Sequence, residues 1–384
     1  MRHGAHGKPW REEPLRLLAM VQRQLDHAPN QRFRHEQWAP HLERNHGISL
    51  TFAPFESPEL SRMLETRGRR GRKLLLATRD FYRRWRRRYD VDAFDGVVVL
   101  REASMLGGSV IEDFVVRRGI PLIYDFDDPI WLSRPDGGHW VASLVRAPWK
   151  VPHICRIASA VTVGNEYLAA FARRHNANVN VVRTSIDLDR FRILPPRPAS
   201  DPFTILWTGS KSTLQYLELV RPALETLGAR MPLRLRVVCD VPPPQYGNVR
   251  LDYVKWSPSV EVSSLAAGDV GIMPLPDTAT ARGKCACKVL QYMAVGRPTV
   301  LSPVGFNRQL VRDGENGLFA DTQENWISQI ERLALDAGLR RRLAQSGRST
   351  IETGYSSTLS ANAFAVAARA VVAPRTMRRN QSTA

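Results

Sequence analysis

The chain lacks any apolar run approaching the roughly 18 to 20 residues that a membrane-spanning helix needs, so a helical membrane protein is not the expected class. Its opening residues, MRHGAHGKPWREEPLRLLAMVQ, contain neither a secretory apolar core nor a small-residue cleavage site. The expected location is therefore the cytoplasm. Cysteine is scarce, with four in 384 residues, which excludes a disulfide scaffold. Cys155 and Cys239 are isolated, and Cys285 and Cys287 have no second Cys or His pair at zinc spacing. They read as small buried thiols, and no metal is expected. Acidic residues are also in deficit: 37 Asp and Glu stand against 55 Lys and Arg, a formal charge of +18. That imbalance favours an anionic partner, whether nucleic acid, acidic lipid or a phosphorylated substrate, without choosing among them.

What is present is enough apolar content, 43% of residues, to bury a core, and a length that suggests two domains. Short β-branched runs alternate with helical patterns, the sequence form of βαβ units and a parallel sheet. In the first half the expected strands are 15–21, 47–55, 94–102, 120–128, 160–165 and 179–184. The stretch RILPPRPASDPF, 192–203, carries no period and reads as a linker. The pattern then restarts with strands at 203–210, 233–240, 249–254, 269–275, 298–304 and 317–320, followed by helices near 323–347 and 357–373. The expected fold class is α/β, with two Rossmann-like doubly wound sheets facing a cleft. Its domains would be 1–195, with a basic helical insertion about 58–90, and 196–356. The 357–373 helix would cross back to the first domain, and 374–384 would be a disordered tail. Ligands of such sheets sit outside the carboxyl ends of the strands.

The segment GKCACKVLQYMAVGRPTVLSPVG, 283–305, carries the sharpest chemical signal. A helix over 284–294, at about 100° per residue, places Lys284, Lys288 and Gln291 within about 60° of one another. Ala286, Val289, Leu290, Met293 and Ala294 fall on the opposite arc. Two ammonium groups near a helix N-terminus add to backbone N–H donors already pointing there, an arrangement suited to a diphosphate and its departing charge. The other reading is the solvated face of an amphipathic helix.

The stretch KCACKVLQYMAVGRPTVLSPVGFNRQLVRDGENGLFA, 284–320, resembles the donor-binding segment of GT-B glycosyltransferases of the family 4, glycogen-synthase-like, group 1 type. There a helix ending in E-A-M-A-x-G or E-Y-M-A-x-G precedes a P-V-V strand, a glycine turn and a D-G-x-N-G loop. This chain has QYMAVG, RPTVLSPVG and RDGENG in that order. FTILWTGSKSTLQYLELVRPALETL resembles the opening strand, Gly-Ser loop and first helix of the family's C-terminal domain, and IPLIYDFDDPIWL its D-x-D-D-A-I-W phrase. VVRTSIDLDRF resembles the P-T-G-I-D turn, and QRFRHEQWAPHLERNHGI the early R-x-R whose loop faces the acceptor. The family often carries E-x7-E across the donor helix, one Glu near the sugar and one on the ribose; those positions here are Gly283 and Gln291. A glutamine amide can still hydrogen-bond a ribose hydroxyl. Gly283 offers only its backbone.

The resemblance implies a glycosyltransferase that takes a sugar from a nucleotide-diphosphate donor, UDP- or GDP-linked, to an acceptor hydroxyl. It further implies retention at the anomeric carbon, no metal or other cofactor, and a role in surface polysaccharide, glycolipid or secondary-metabolite glycan synthesis. Lys284 and Lys288 would neutralise the leaving diphosphate. Gly209, Ser210, Lys211, Thr213, Asp277, Arg282, Gly283, Gln291, Val304, Gly305 and Asn307 would surround the donor, and Arg32, Arg34, Glu102 and Asn165 the acceptor. A nucleotide-sugar epimerase on the same scaffold and a non-catalytic nucleotide-binding protein are the alternatives.

In DFDD, Asp125 and Asp127 alternate with Asp128 along a strand end. Three readings stand: a metal-binding D-x-D, an acceptor-orienting or base-like role for Asp127 or Asp128, and capping of the next turn. Gly209 and Ser210 end a strand before Ser212 and Thr213, natural helix caps, a place suited to phosphate oxygens. Residues 62–88 hold twelve basic residues, among them Arg67, Arg72, Arg79 and Arg86, opposed by Glu65 and Asp80 and interleaved with Leu74, Leu75, Tyr82 and Trp85. Such a helix suits an anionic membrane surface and a lipid-linked acceptor; a solvated face is the alternative. No nucleic-acid module surrounds it.

Overall fold

The computed structural model describes residues 14–66, 68–106, 108–132, 148–193 and 202–383, those beyond 372 as backbone only. The residues up to Arg183, with the helix from Ser357 onward, form one compact unit, and Thr184–Ser356 form the other. Most of the proline-rich 192–203 segment, and Arg67, lie outside the described residues.

All twelve strands expected from the β-branched runs are present; the first keeps its expected bounds, the one expected at 249–254 is shifted by one residue, and the others are shorter than expected. In the first unit they are β1 (Leu15–Val21), β2 (Ile48–Pro54), β3 (Gly96–Leu100), β4 (Leu122–Phe126), β5 (Ala160–Val163) and β6 (Val179–Val181). They form one sheet in the order β2-β1-β3-β4-β5-β6. The second unit holds β7 (Phe203–Thr208), β8 (Leu233–Cys239), β9 (Arg250–Lys255), β10 (Val270–Met273), β11 (Thr299–Leu301) and β12 (Leu318–Phe319), in the order β12-β11-β10-β7-β8-β9. Every pairing is parallel. Strands β3, β4, β5 and β7 are buried along their whole length, because a parallel sheet is covered by helices on both faces and its strands are correspondingly continuous in apolar residues.

The strand orders fix where ligands can bind. In each sheet the chain reverses direction once, between β1 and β3 in the first and between β7 and β10 in the second. Loops leaving such neighbours part at the carboxyl edge and open a crevice there. Residues 22–24 and 101–102 flank the first crevice, and 209–213 and 274–277 the second.

The boundary between units falls at 183/184, not at 195/196. The intervening residues bond to the second unit: Ile186 N–H donates to Tyr355 O at 2.9 Å, Arg190 to Pro258 O at 3.0 Å, and Phe191 O accepts from Arg348 at 2.8 Å. The single helix expected at 323–347 is two, Gln323–Leu335 and Ala337–Gly354, divided at Asp336, whose carboxylate caps the second by accepting from Leu339 N–H at 2.8 Å. The last helix spans Ser357–Thr383, so its backbone continues past 373 into the stretch read as a tail. Its Ala361, Phe364, Ala365, Ala368 and Val372 join Leu15, Leu17, Trp38, Leu42 and Val98 in the first unit's core.

Beneath the basic segment, helices Pro58–Glu65 and Arg70–Arg86 close over Phe55, Leu60, Met63, Leu76 and Ala77. Burial pushes the Cys155 thiol up to about 12 and Cys239 up to about 11, so neither is a thiolate near neutral pH.

Candidate functional site

The crevice of the second sheet is built from the end of β7. Trp207 is buried, and its ring lies so close behind Gly209 that a Cβ there would sit 2.5 Å from the ring and 2.7 Å from Thr213 Oγ1. Glycine is required by that approach. Ser210 and Thr213 bond reciprocally, Ser210 N–H to Thr213 Oγ1 at 3.3 Å and Thr213 Oγ1 to Ser210 O at 3.1 Å, which holds the turn into helix Lys211–Leu214. Lys211 N–H donates to Asp240 Oδ1 at 2.6 Å, leaving its exposed side chain at the rim.

Helix Cys287–Ala294 faces this turn. Its Tyr292 is buried with the ring flat over Gly271, and the phenol accepts from Thr208 N–H at 2.9 Å. Burial holds that phenol far above its ordinary pKa, so it stays protonated. Lys288, in the first turn, places Nζ 5.3 Å from the Trp207 ring centroid and 3.5 Å from Thr213 Oγ1. Lys288, Gly209, Ser210 and Thr213 are therefore brought together, beside backbone N–H groups that open the helix.

The expected stripe needs correction. Lys284 is not on this helix: a short helix, Ala279–Arg282, ends when Gly283 and Lys284 N–H both turn onto Ala281 O, and Ala286 then adopts φ +52°. This left-handed residue restarts the helix at Cys287, so Lys284 precedes it and is half-buried. A strained non-glycine residue of this kind tends to mark a functional site. Gln291 is also not on a polar face but 4% exposed. Its Nε2 donates to Glu261 Oε1 at 3.3 Å. The Gly283 N–H, read as a contact for the sugar, is committed to Ala281 O.

Asp277 and Arg282 form an exposed bidentate ion pair at 2.6 and 3.0 Å, which lowers the Asp277 pKa. Gly305, at φ +54°, packs its Cα against Arg282 backbone; a Cβ would sit 2.3 Å from Arg282 O. The close approach expected there is thus to the chain itself. Val304 N–H donates to Ser302 O at 2.8 Å, and Asn307, 1% exposed, donates to the same oxygen at 2.8 Å, so both shape the turn after β11.

In the first unit the D-x-D reading fails on Asp125. It is wholly buried between Arg34, at 2.5 and 2.7 Å, His35 at 3.0 Å and Thr162 Oγ1 at 2.5 Å. Burial alone would raise its pKa, but Arg34 and His35 outweigh it and hold the carboxyl well below the ordinary range. Arg34 also donates to Val182 O at 2.8 Å. The R-x-R arginines accordingly point inward: Arg34 is 0% and Arg32 1% exposed, both on a single π-helical turn, Arg32–Glu36. Asn165 is likewise a buried cap, its side-chain oxygen accepting from Leu168 N–H at 3.0 Å.

Asp127 and Asp128 share Arg101, whose guanidinium lies 2.6 Å from each. Arg101 sits at φ +64° just beyond β3, and Tyr124 Oη donates to its carbonyl at 2.7 Å. Burial raises the Asp127 pKa against the pull of Arg101, with Asp128 adding to the rise. Glu102, the next residue, is paired to buried Lys150 at 2.5 Å and accepts from Gln22, across the β1/β3 crevice. Arg101, Asp127, Asp128, Glu102 and Lys150 thus converge on the carboxyl edge of β3 and β4.

Sequence reasoning missed Arg101, Lys150, Trp207, Glu261 and Trp256. Arg101 was legible as a cation closing the β3 run. Glu261, in the first turn of helix Pro258–Ala266, reads as a solvated carboxylate favoured by the helix dipole, and nothing local signals its burial. Among the described residues no group of three or more His, Cys, Asp or Glu could hold a metal ion, and no helix is long and apolar enough to cross a membrane.

Residues 202–336 match the family described as Glycosyl transferases group 1. No curated protein matches the sequence. Among solved structures, a sucrose-phosphate synthase from Thermosynechococcus elongatus superposes with TM-score 0.67 at 14% identity, over 94% of this chain and 100% of that one. HepE of Anabaena, in complex with UDP-glucose, gives 0.63 at 14% identity over 91% and 97%. A glycosyltransferase from Rickettsia africae gives 0.63 at 10% identity over 94% and 99%. The chain thus has the fold of the GT-B glycosyltransferases, and its second unit carries a domain that matches the glycosyl transferases group 1 family.

Proposed function

We propose that the protein moves a glycosyl group from a nucleoside-diphosphate sugar, UDP-linked as in the HepE complex, to an acceptor hydroxyl. The observation that carries this reading is Lys288 at the mouth of helix Cys287–Ala294, beside the Gly209–Thr213 turn at the strand reversal of the second sheet. The bond between the anomeric carbon and the diphosphate oxygen breaks, the diphosphate leaves with the electron pair, and the acceptor oxygen forms the new bond as its proton departs. Lys288 and the first N–H groups of the helix stabilise the departing charge, with Lys284 adding to the same field. Reaction is with retention, and these cations supply the role that a metal has elsewhere. Ribose is held at Gln291. The donor belongs to the second unit, and the acceptor to the carboxyl edge of the first sheet, where Asp128, the more exposed of the Arg101-bound pair, orients its hydroxyl.

Calorimetric titration with UDP, GDP and dTDP, followed by assay of donor hydrolysis, tests the reading. UDP binding with slow release of UDP from a UDP-sugar supports it. Binding without any turnover would favour a non-catalytic protein, and interconversion of sugars an epimerase.

The acceptor in this reading is lipid-linked, in glycolipid or polysaccharide assembly at a membrane surface. Helix Arg70–Arg86 exposes Leu74, Leu75 and Tyr82 at 58, 68 and 61%. Its basic residues are not all equal. Arg72 and Arg79 pair with Glu59, and Arg83 donates to Phe55 O. Arg69, Arg70 and Arg86 are exposed around the apolar residues, each worth about 1 kcal/mol near an anionic surface. Vesicles of phosphatidylcholine containing phosphatidylglycerol are expected to sediment the protein, and phosphatidylcholine alone is not. Replacing Arg69, Arg70 and Arg86 with Gln together with Leu74 and Leu75 with Ser should abolish the difference; unchanged sedimentation would refute the membrane role.

A further inference from the structure

The partner of Gln291 is a carboxylate, and that decides which way the amide points. Glu261 is 2% exposed in helix Pro258–Ala266. Its Oε1 accepts from Gln291 Nε2 at 3.3 Å and from Trp256 Nε1 at 3.1 Å, while Oε2 lies 3.6 Å from the Arg190 guanidinium. An ionised carboxylate can only accept, so the amide atom turned toward it must be the NH2 group. The Gln291 carbonyl oxygen is then turned away from Glu261. An unrestrained glutamine would offer a ligand either end of its amide; this one offers an acceptor.

We propose that Glu261 is a positioning residue that locks the Gln291 carboxamide with its oxygen presented to the ribose of the nucleotide. Gln291 then accepts from a ribose hydroxyl as a glutamate would, and the negative charge resides one residue further back, on Glu261. This rests on Gln291 as the ribose residue. It has an unexpected consequence: Gln291→Glu, although it restores the side chain common in the family, should harm binding. It sets two carboxylates face to face at the present 3.3 Å separation, and such a pair ionises fully only at a cost.

The test is calorimetric titration of the whole protein with UDP and with its 2′-deoxy and 3′-deoxy analogues, with GDP substituted if that is the nucleotide the wild type binds. Gln291→Glu is expected to weaken UDP binding by about tenfold, roughly 1.4 kcal/mol, at pH 8. Binding should recover as the pH falls, because the facing carboxylates then share a proton. Among the groups facing Glu261 are Arg190, Trp256 and Gln291; of these only position 291 changes. Glu261→Gln alone should weaken binding by a few fold. Combining Glu261→Gln with Gln291→Glu should restore UDP affinity to within about threefold of wild type, since an amide again faces a carboxylate. Retained affinity in Gln291→Glu at every pH, or no rescue in the double variant, would overturn the positioning role. If Gln291→Ala leaves the ratio of UDP to deoxy-analogue affinity unchanged, the ribose assignment itself fails. A merely structural pair would not give an affinity that depends on pH in one variant and is rescued by exchanging the two side chains.

Discussion

Lys288→Ala is expected to lower turnover by about 10²- to 10³-fold, the usual result of deleting one group aimed at developing charge. The reason is where the ammonium sits. Its Nζ is held over the Trp207 face and within 3.5 Å of Thr213 Oγ1, so the cation is oriented before substrate arrives. Charge that builds on a leaving diphosphate would meet it without reorganisation. UDP affinity should fall as well, but by less than turnover, because bound UDP engages the same cation without the extra charge of bond breaking. Lys288→Arg keeps the charge but spreads it over a broader planar fork, and should recover only part of the rate. Single-turnover kinetics with a UDP-sugar and calorimetry with UDP separate the two quantities. An alanine variant with undiminished turnover would remove Lys288 from the chemistry and leave it as a packing partner of Trp207.

The largest effect on stability is expected at Asp125. Asp125→Ala should destabilise the first unit by about 3–5 kcal/mol, the penalty of breaking a buried ion pair from one side. Arg34 would keep a charge with no exposure to water and lose the carboxylate to which it donates at 2.5 and 2.7 Å. Thr162 and His35 would lose a shared partner in the same step. Denaturation followed by circular dichroism reads the loss. UDP affinity, which the proposed function assigns to the second unit, should not change, and an equal loss of both would contradict that assignment.

Asp125 also predicts a pH dependence. Its folded pKa is depressed below its unfolded value, so its contribution is complete above the ordinary carboxylate range, near pH 4, and is lost as pH falls through the lower folded value. The wild type should therefore lose stability on acidification below about pH 4, with this part of the slope absent in Asp125→Asn. Glu112, buried beside Lys150, has the opposite sign. Burial raises its folded pKa, against hydrogen bonding from Ala103 N–H and the charge of Lys150, so its contribution is complete at low pH and declines as pH rises through the folded value. Acid-limb measurements on Asp125→Asn isolate the first effect.

The strands were legible because their cause is local. Runs such as VVVL and LIYDF are dominated by β-branched, aromatic and other apolar residues, and near-continuous apolarity over four to eight residues between turn signals is what a strand covered on both faces requires. The turn chemistry around Gly209, and the order of the QYMAVG, SPVG and RDGENG phrases, were legible for the same reason. Lys288 was also correctly placed on a helix, since its spacing from Val289, Leu290 and Met293 is set by the helical period. Lys284 was not, because a left-handed residue at Ala286 separates it from that helix. No side chain at 286 announces such a turn.

The sequence by itself determined the twelve strands, the succession of donor-site phrases and the excess of positive charge, because each is a matter of neighbours along the chain. Tertiary structure alone decided that the R-x-R arginines point into the core, that Asp125 serves Arg34 and Asp127 serves Arg101, and that Gln291 leans on Glu261. Those pairings join residues from 26 to 91 positions apart. A buried charge is stable only where folding brings its counter-charge within hydrogen-bonding reach, and no local pattern records which distant residue that will be.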